Sequence, residues 1–197
     1  WLDRLAMPEV DQARIRRFAA DGYLVIDLDL PDFDALAGRI IADLAPRYPR
    51  VAGERRIEEA WYWHEDVRRL AACPQILTTL AALYQRRPFP FQTLNFDRGS
   101  EQAAHSDTLH FSCIPHGFMC GVWVALEDID ATGGPLFVYP GSHRLPEFDM
   151  HRLGLPASRH AYGEYEAGGS RIPGAAGFGR QGMRVRQGPA GVWGGNL

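Results

Sequence analysis

The stretch that decides the fold runs from Phe91 to His143; it opens FQTLNFDRGSEQAAHSDTLHFS, continues GFMCGVWVALEDID and closes GGPLFVYPGSH. Short apolar runs alternate in it with turn-forming residues. Phe91–Phe96 and Met119–Leu126 have the composition of strands, and Asp130–Gly134 turns the chain into a further strand at Pro135–Tyr139. Several short strands separated by turns predict an antiparallel barrel or jelly roll.

The candidate chemistry of this stretch lies at His105 and Asp107, which Ser106 separates. On a β-strand, residues two apart point to the same face, so we expect the imidazole and the carboxylate to share one divalent metal. Two histidines and one carboxylate on one side of an iron form the facial triad of non-haem Fe(II) oxygenases. A bare His-x-Asp is more often a pair of solvated polar residues, so the motif depends on its surroundings.

Three blocks in order carry a family resemblance: the His-Ser-Asp motif, then WVALEDID, then GGPLFVYPGSH. Together they resemble the phytanoyl-CoA dioxygenase family, which includes the ectoine hydroxylases and many bacterial biosynthetic hydroxylases. The resemblance covers about Phe91 to Arg144 and is weaker toward both ends. The expected fold is mainly β, a double-stranded β-helix (a cupin-like jelly roll) with N-terminal helices packed outside.

The resemblance also implies the chemistry. It implies an Fe(II)- and 2-oxoglutarate-dependent dioxygenase that uses O₂ to hydroxylate a small molecule in bacterial biosynthetic or secondary metabolism. His105 and Asp107 match the family's metal-binding and catalytic positions, and Asn95 matches an asparagine that helps hold 2-oxoglutarate. The substrate itself cannot be deduced from the residues, because one fold hosts many substrates.

The chain is expected to be one oxygenase domain, residues 1–197, that lacks its C-terminal end. In the resembling family, a strand like the one beginning at Val192 leads to a distal histidine and then to an arginine that binds 2-oxoglutarate. Neither lies before Leu197, so both are expected beyond it. One alternative is a true truncation without activity, and the other is that His143 or His110 completes the site.

Composition excludes several classes of protein. A length of 197 residues fits one domain, and a net charge of −3 gives no basic surface for nucleic acid. No apolar stretch is long enough to span a membrane. The three cysteines form an odd count without paired spacing, which predicts free thiols and a cytoplasmic protein.

The rest of the chain predicts a scaffold. Helical periodicity or caps occur at four places. Two other segments, Arg47–Ala60 and the glycine-rich Tyr162–Gly182, are expected to be loops. The second is either a mobile loop over the site or several loops joined. The four predicted helices are Asp11–Ala20, one that begins at Asp32 or Asp34 and stops at Pro46, Glu65–Leu70 and Pro74–Tyr84. A short strand, Tyr23–Ile26, follows the first helix.

Two other functions stay open from the sequence. The chain could be a catalytically inactive barrel that serves as a binding module. It could also be a cupin-type metalloenzyme that does not use 2-oxoglutarate, because cupins place a histidine after a Pro/Gly turn, as at Pro140–His143. The family resemblance places that histidine in a turn, bound to nearby groups.

Overall fold

The chain begins with a helix and a strand joined at a glycine. The computed structural model describes residues 7–49, 56–100, 102–109, 111, 113–146, 149–156, 158–169, 171–183 and 185–195. Helix α1 (Glu9–Asp21) ends at Gly22, whose φ of 82° is left-handed and whose N–H donates to the Phe18 carbonyl at 2.8 Å. Glycine accepts this conformation without strain, and strand β1 (Tyr23–Ile26) follows directly.

Three further helices follow β1 closely, with the spacing that the sequence predicts. They are α2 (Phe33–Leu44), α3 (Glu65–Ala71) and α4 (Pro74–Tyr84). One face of α2 is buried through Leu36, Ile40 and Leu44, the stripe expected of an amphipathic helix. Pro74 occupies the first turn of α4, where its missing N–H leaves no hydrogen bond unmade.

The strands are short and all their pairings are antiparallel. In chain order they are β2 (Arg56–Glu58), β3 (Leu94–Phe96), β4 (Cys120–Val124), β5 (Leu136–Val138), β6 (Gln181–Met183) and β7 (Ala190–Gly194). A central sheet has the order β1-β7-β4, while β2 pairs with β3 and β5 with β6. Because β1 and β4 flank β7, the first strand of the chain and the last described one are neighbours.

The central sheet separates two groups of buried side chains. One face, which includes Leu24 and Val192, packs on Ile76 and Leu80 of α4. The opposite face contacts the β5–β6 pair, since Tyr23, Val138 and Met183 form one cluster with Trp123 and Trp193 packed against it. We call these the helical face and the inner face.

The structure supports the predicted fold in part and corrects some elements. Two sheet layers face each other and helices cover the outside of one, but a closed barrel is not complete in the part of the chain that is described. Helices also contribute more residues than strands there, so the described part of the chain contains both helix and sheet. Strand β2 lies within the predicted loop Arg47–Ala60, and the glycine-rich segment contains helices α5 (Tyr162–Gly169) and α6 (Ile172–Ala175).

The three cysteines are free, as the sequence predicts. Burial raises the pKa of Cys120 to about 12, so its thiol stays protonated at neutral pH and is a poor nucleophile. No helix of the described residues combines the length and the apolar character that crossing a bilayer requires.

Candidate metal centre

The segment around His105 and Asp107 is a turn rather than the predicted strand. Asp107–Leu109 forms a single 3-10 turn, and the Phe111 N–H donates to the Asp107 carbonyl at 2.9 Å. The prediction that strand alternation brings the two side chains to one face is therefore wrong. The segment is fixed instead by long-range bonds to the residue after β7.

Those long-range bonds converge on one carbonyl. The Ser106 hydroxyl donates to the Gly195 carbonyl at 2.9 Å, and the Thr108 N–H donates to the same oxygen at 3.1 Å. The Thr108 hydroxyl lies 2.6 Å from the Ser106 hydroxyl and completes this small network. The turn that carries His105 and Asp107 is therefore attached to the end of the central sheet.

His105 and Asp107 are brought together by this turn. His105 Nε2 lies 3.5 Å from Asp107 Oδ1, and the side chains are 17% and 22% exposed. They therefore lie at one point near the surface, largely shielded from solvent. The turn achieves the convergence that the sequence analysis expected from a strand.

The histidine presents a definite nitrogen toward the aspartate. His105 Nδ1 lies 2.7 Å from the Ala103 carbonyl, and since a carbonyl can only accept, Nδ1 carries the proton. In the neutral ring Nε2 is then the nitrogen with a lone pair, and it is the one facing Asp107. This is the tautomer that a metal ligand requires.

The aspartate is oriented from the other side by the central sheet. Trp193 Nε1–H donates to Asp107 Oδ2 at 2.9 Å, so one carboxylate oxygen accepts from the indole while the other faces His105. Trp193 belongs to the strand that the sequence predicts to begin at Val192, and the sequence alone predicts no contact between it and Asp107. The contact spans 86 residues of sequence, and no local pattern announces it.

The pair fits a transition-metal ion. Two ligand atoms about 2.1 Å from one ion and about 90° apart lie about 3.0 Å from each other, so the observed 3.5 Å needs an adjustment of about half an ångström. Within the described residues no group of three or more His, Cys, Asp or Glu side chains could hold a metal. A third ligand remains a prediction, and His110 lies outside the described residues.

His143 lies in the turn that the sequence analysis anticipated. Its Nε2–H donates to the Ala19 carbonyl at 3.3 Å, and the Arg144 guanidinium donates to the Ala19 and Ala20 carbonyls at 3.0 and 2.9 Å. Cationic and polar donors suit the carbonyls at the end of a helix such as α1. Burial lowers the pKa of His143. The contacts of this histidine favour a structural role.

Asn95, the predicted 2-oxoglutarate residue, lies on β3 opposite Ile57. Its side-chain Oδ1 is buried and has no hydrogen-bond partner among the described residues. Buried amide oxygens are nearly always satisfied, so this atom has the capacity to bind a further donor. Its role in cofactor binding stays a prediction.

A cavity of about 270 Å³ lies at the end of the central sheet. Phe18, Tyr84 and Gly194 line it, and a side chain at Gly194 would contact Phe18 and Tyr84. Gly194 lies on the helical face, because it follows the inward-facing Trp193 on an alternating strand. Thr108 and Phe111, from the segment that carries Asp107, also line the cavity, so it adjoins the turn of the candidate metal centre.

A family model and a curated relative both match this chain. The family model described as Phytanoyl-CoA dioxygenase (PhyH) matches residues 47–197. A curated relative from Caenorhabditis elegans, named probable phytanoyl-CoA dioxygenase, is 32% identical over 77 residues, which are 37% of this chain and 25% of that protein. The match thus spans about a quarter of the length of that relative.

Solved structures with low sequence identity share the fold. The α-ketoglutarate-dependent epimerase SnoN of nogalamycin biosynthesis is 20% identical, with 96% of this chain and 75% of that chain covered and a TM-score of 0.67. The carbocyclase SnoK of the same biosynthesis is 18% identical, with 99% and 77% covered and a TM-score of 0.68. EctD from S. alaskensis with bound Fe is 23% identical, with 100% and 71% covered and a TM-score of 0.66.

Those enzymes bind the cofactors that the sequence analysis predicted here. SnoN is known in complex with Fe³⁺ and α-ketoglutarate, and EctD with 2-oxoglutarate and 5-hydroxyectoine. The family model covers more than half of this chain. On that ground the chain belongs to the phytanoyl-CoA dioxygenase family.

Proposed function

We propose that the protein is an Fe(II)- and 2-oxoglutarate-dependent dioxygenase that hydroxylates a small molecule in bacterial biosynthetic or secondary metabolism and acts in the cytoplasm. The observation that carries the proposal is the 3.5 Å approach of His105 Nε2 to Asp107 Oδ1. Each side chain is held by a hydrogen bond on its far side, to Ala103 and Trp193. Such orientation of ligands from behind is typical of metal sites.

His105 and Asp107 are the proposed iron ligands, and Asn95 would help to hold 2-oxoglutarate through its buried amide. Iron and 2-oxoglutarate bound there would supply oxidative chemistry, in which decarboxylation of 2-oxoglutarate by O₂ to succinate and CO₂ would be coupled to insertion of one oxygen atom into a substrate C–H bond. The residues of this chain position the ligands and limit access of water to them. The family's distal histidine and 2-oxoglutarate-binding arginine are proposed to follow Leu197 in the complete protein.

The fold supports a continuation of this kind. Strand β4 pairs with β7 along one edge, and no strand of the described residues pairs with its other edge. Since natural sheets cover or pair their long edges, we propose that later strands complete a double-stranded β-helix here. The same strands would deliver the remaining ligands to the His105–Asp107 pair.

The test is turnover by the full-length protein. Purified enzyme with Fe(II), O₂ and 2-oxoglutarate is screened against a panel of small molecules, and succinate and oxidised product are measured together. We expect succinate to form only with 2-oxoglutarate present, and His105→Ala to abolish both iron binding and succinate. Mass spectrometry of the product separates hydroxylation from the epimerisation and ring closure named for two structural neighbours.

The matched control is His143→Ala, which changes a histidine in the same stretch that bonds to backbone. It is expected to retain iron and succinate formation. Loss of iron as complete as in His105→Ala would make His143 a ligand and favour the cupin-type enzyme, as would turnover without 2-oxoglutarate. A full-length protein that binds no iron would instead be a binding module.

A further inference from the structure

We propose that Trp193 is a positioning residue that holds Asp107 so that only one carboxylate oxygen binds the metal. We also propose that Gly121, which has no side chain, leaves the space that the Trp193 indole needs. This inference rests on the proposed function, since it concerns how the iron ligand is held. It assigns roles to two residues of the inner face that lie on neighbouring strands. Neither has a side chain that could itself bind a metal.

The first step is the use of the carboxylate oxygens. An indole N–H is a donor only, so Trp193 must bond an acceptor, and it bonds Asp107 Oδ2 at 2.9 Å. The other oxygen, Oδ1, is the one near His105 Nε2. The carboxylate therefore enters the site with one oxygen already engaged and the other turned toward the histidine.

The second step is what this arrangement prevents. A carboxylate can bind an ion through one oxygen or both. In a facial triad the side opposite the protein ligands must stay open for the co-substrate and O₂. A second oxygen of Asp107 on the ion would take one of those positions. The indole hydrogen bond opposes that rotation by holding Oδ2 away.

The third step is the close approach of the indole to the sheet. Gly121 is the direct cross-strand partner of Trp193 in the β4–β7 register. A Cβ built on Gly121 would lie 2.3 Å from Trp193 Cε2, 2.4 Å from Cζ2 and 2.6 Å from Nε1. The ring therefore lies against bare backbone, and the displaced atoms would include the nitrogen that donates to Asp107.

The same sheet provides a matched control. Trp123 of β4 is the partner of Gly191 of β7, on the same inner face. A Cβ at Gly191 would lie 3.7 Å from Trp123 Cε3, an ordinary contact, and 3.0 Å from the Met183 sulfur. Trp123 therefore lies on the same strand pair and the same face as Trp193, and it too has a glycine as its cross-strand partner. In the described residues, however, it donates no hydrogen bond to Asp107.

The experiment uses Co(II) as a spectroscopic substitute for Fe(II) in the full-length protein. Co(II) affinity and ligand-field absorption, which reports coordination number, are measured for wild type, Trp193→Phe, Trp123→Phe and His105→Ala. We expect Trp193→Phe to bind Co(II) at least about tenfold more weakly, within the range for residues that orient metal ligands, and its spectrum to shift toward higher coordination. Trp123→Phe should match wild type in both.

The outcomes separate this inference from the proposed function. If Trp193→Phe matches Trp123→Phe in affinity and spectrum, the positioning role is refuted while the metal site stands. If wild type does not bind Co(II), or His105→Ala binds it as tightly, the proposed function fails first. Should Trp193→Phe not fold, Gly121→Ala provides the second variant, and unchanged affinity and spectrum there also refute the inference.

Discussion

The two Trp–Gly pairs of the central sheet have the same local design and different consequences. Trp193 faces Gly121, and Trp123 faces Gly191 two residues further along the same pair of strands. Both tryptophans pack against the cluster formed by Tyr23, Val138 and Met183. Of these two pairs, the described residues show only the Trp193 pair in contact with the candidate metal centre, through Asp107.

The difference is one of position along the strand. Trp193 lies near the end of β7, two residues before Gly195, whose carbonyl anchors the turn that carries His105 and Asp107. Trp123 lies near the opposite end of the β4–β7 ladder, where the atom nearest to a Cβ built on its glycine partner belongs to the flexible side chain of Met183. The same kind of cross-strand pair is thus ordinary packing at one end of the ladder and part of the candidate site at the other end.

Removing the acceptor is expected to have the largest effect. In full-length Asp107→Ala, iron binding and hydroxylation should be lost, because a single histidine and any later ligands hold Fe(II) poorly. Because Trp193 then has no carboxylate to bond, the two tryptophans should no longer differ in their contact with residue 107. In urea unfolding of the metal-free protein, Asp107→Ala and Trp193→Phe should be coupled by about 1.5 to 3 kcal/mol, the order of a hydrogen bond to a charged group.

The control for that coupling is the combination of Asp107→Ala with Trp123→Phe. Its cost should equal the sum of the single costs within about 0.5 kcal/mol, as for residues that do not touch. Equal coupling for both tryptophans would remove the distinction between the two pairs.

Adding a methyl group at the glycine of each Trp–Gly pair is expected to have the next largest effect. Gly121→Ala should lower the free energy of unfolding by about 1 to 3 kcal/mol, because an extra methyl in an occupied space forces strain, and should weaken metal binding. Gly191→Ala should cost less than about 1 kcal/mol and leave the metal affinity unchanged, since the Met183 thioether can move aside. Urea midpoints and Co(II) titrations of both variants check this; equal costs would contradict it.

A histidine outside both pairs should have the smallest effect. His143→Ala should cost about 1 kcal/mol of stability, one hydrogen bond to the end of α1, without changing iron content. Its value is as a baseline for variants that perturb only structure. A change in metal spectrum in this variant would mean that the centre extends to the Pro140–His143 turn.

The same histidine predicts a pH dependence. Burial lowers the pKa of His143 from its ordinary 6.5, so the unfolded chain binds this proton more readily than the folded one. The stability that the neutral ring contributes is present above pH 6.5 and is lost as the pH falls through the folded pKa. When the pH is lowered from about 7.5 to about 5, the urea midpoint should therefore fall less in His143→Ala than in wild type. An identical fall would contradict this assignment.

Local sequence patterns predict the scaffold well. The strand Tyr23–Ile26 and the helix Pro74–Tyr84 have the bounds that the sequence predicts. Each has a local cause that can be read from the residues alone: a helix-ending glycine before the strand, and a proline in the first turn of the helix. Such elements need little information from distant parts of the chain.

Predictions from the sequence are wrong where contacts between residues far apart in the chain determine the local structure. Strand β2 has a charged sequence and forms through its pairing with β3, and the turn at Asp107 is held by Gly195 and Trp193. The motif therefore predicted which residues meet, while the backbone that joins them depends on bonds from more than eighty residues away. Helices α5 and α6 form despite a glycine content that favours loops.

Because Gly121 and the Trp193 indole are in contact, the sizes of the side chains at positions 121 and 193 constrain each other during evolution. A lineage that enlarges residue 121 must shrink residue 193, and it then loses the donor that fixes the aspartate. Across homologues the two positions should covary, with tryptophan at the second found together with glycine at the first. Relatives that break the pattern should carry a different donor for the carboxylate, and an alignment of the family would identify it.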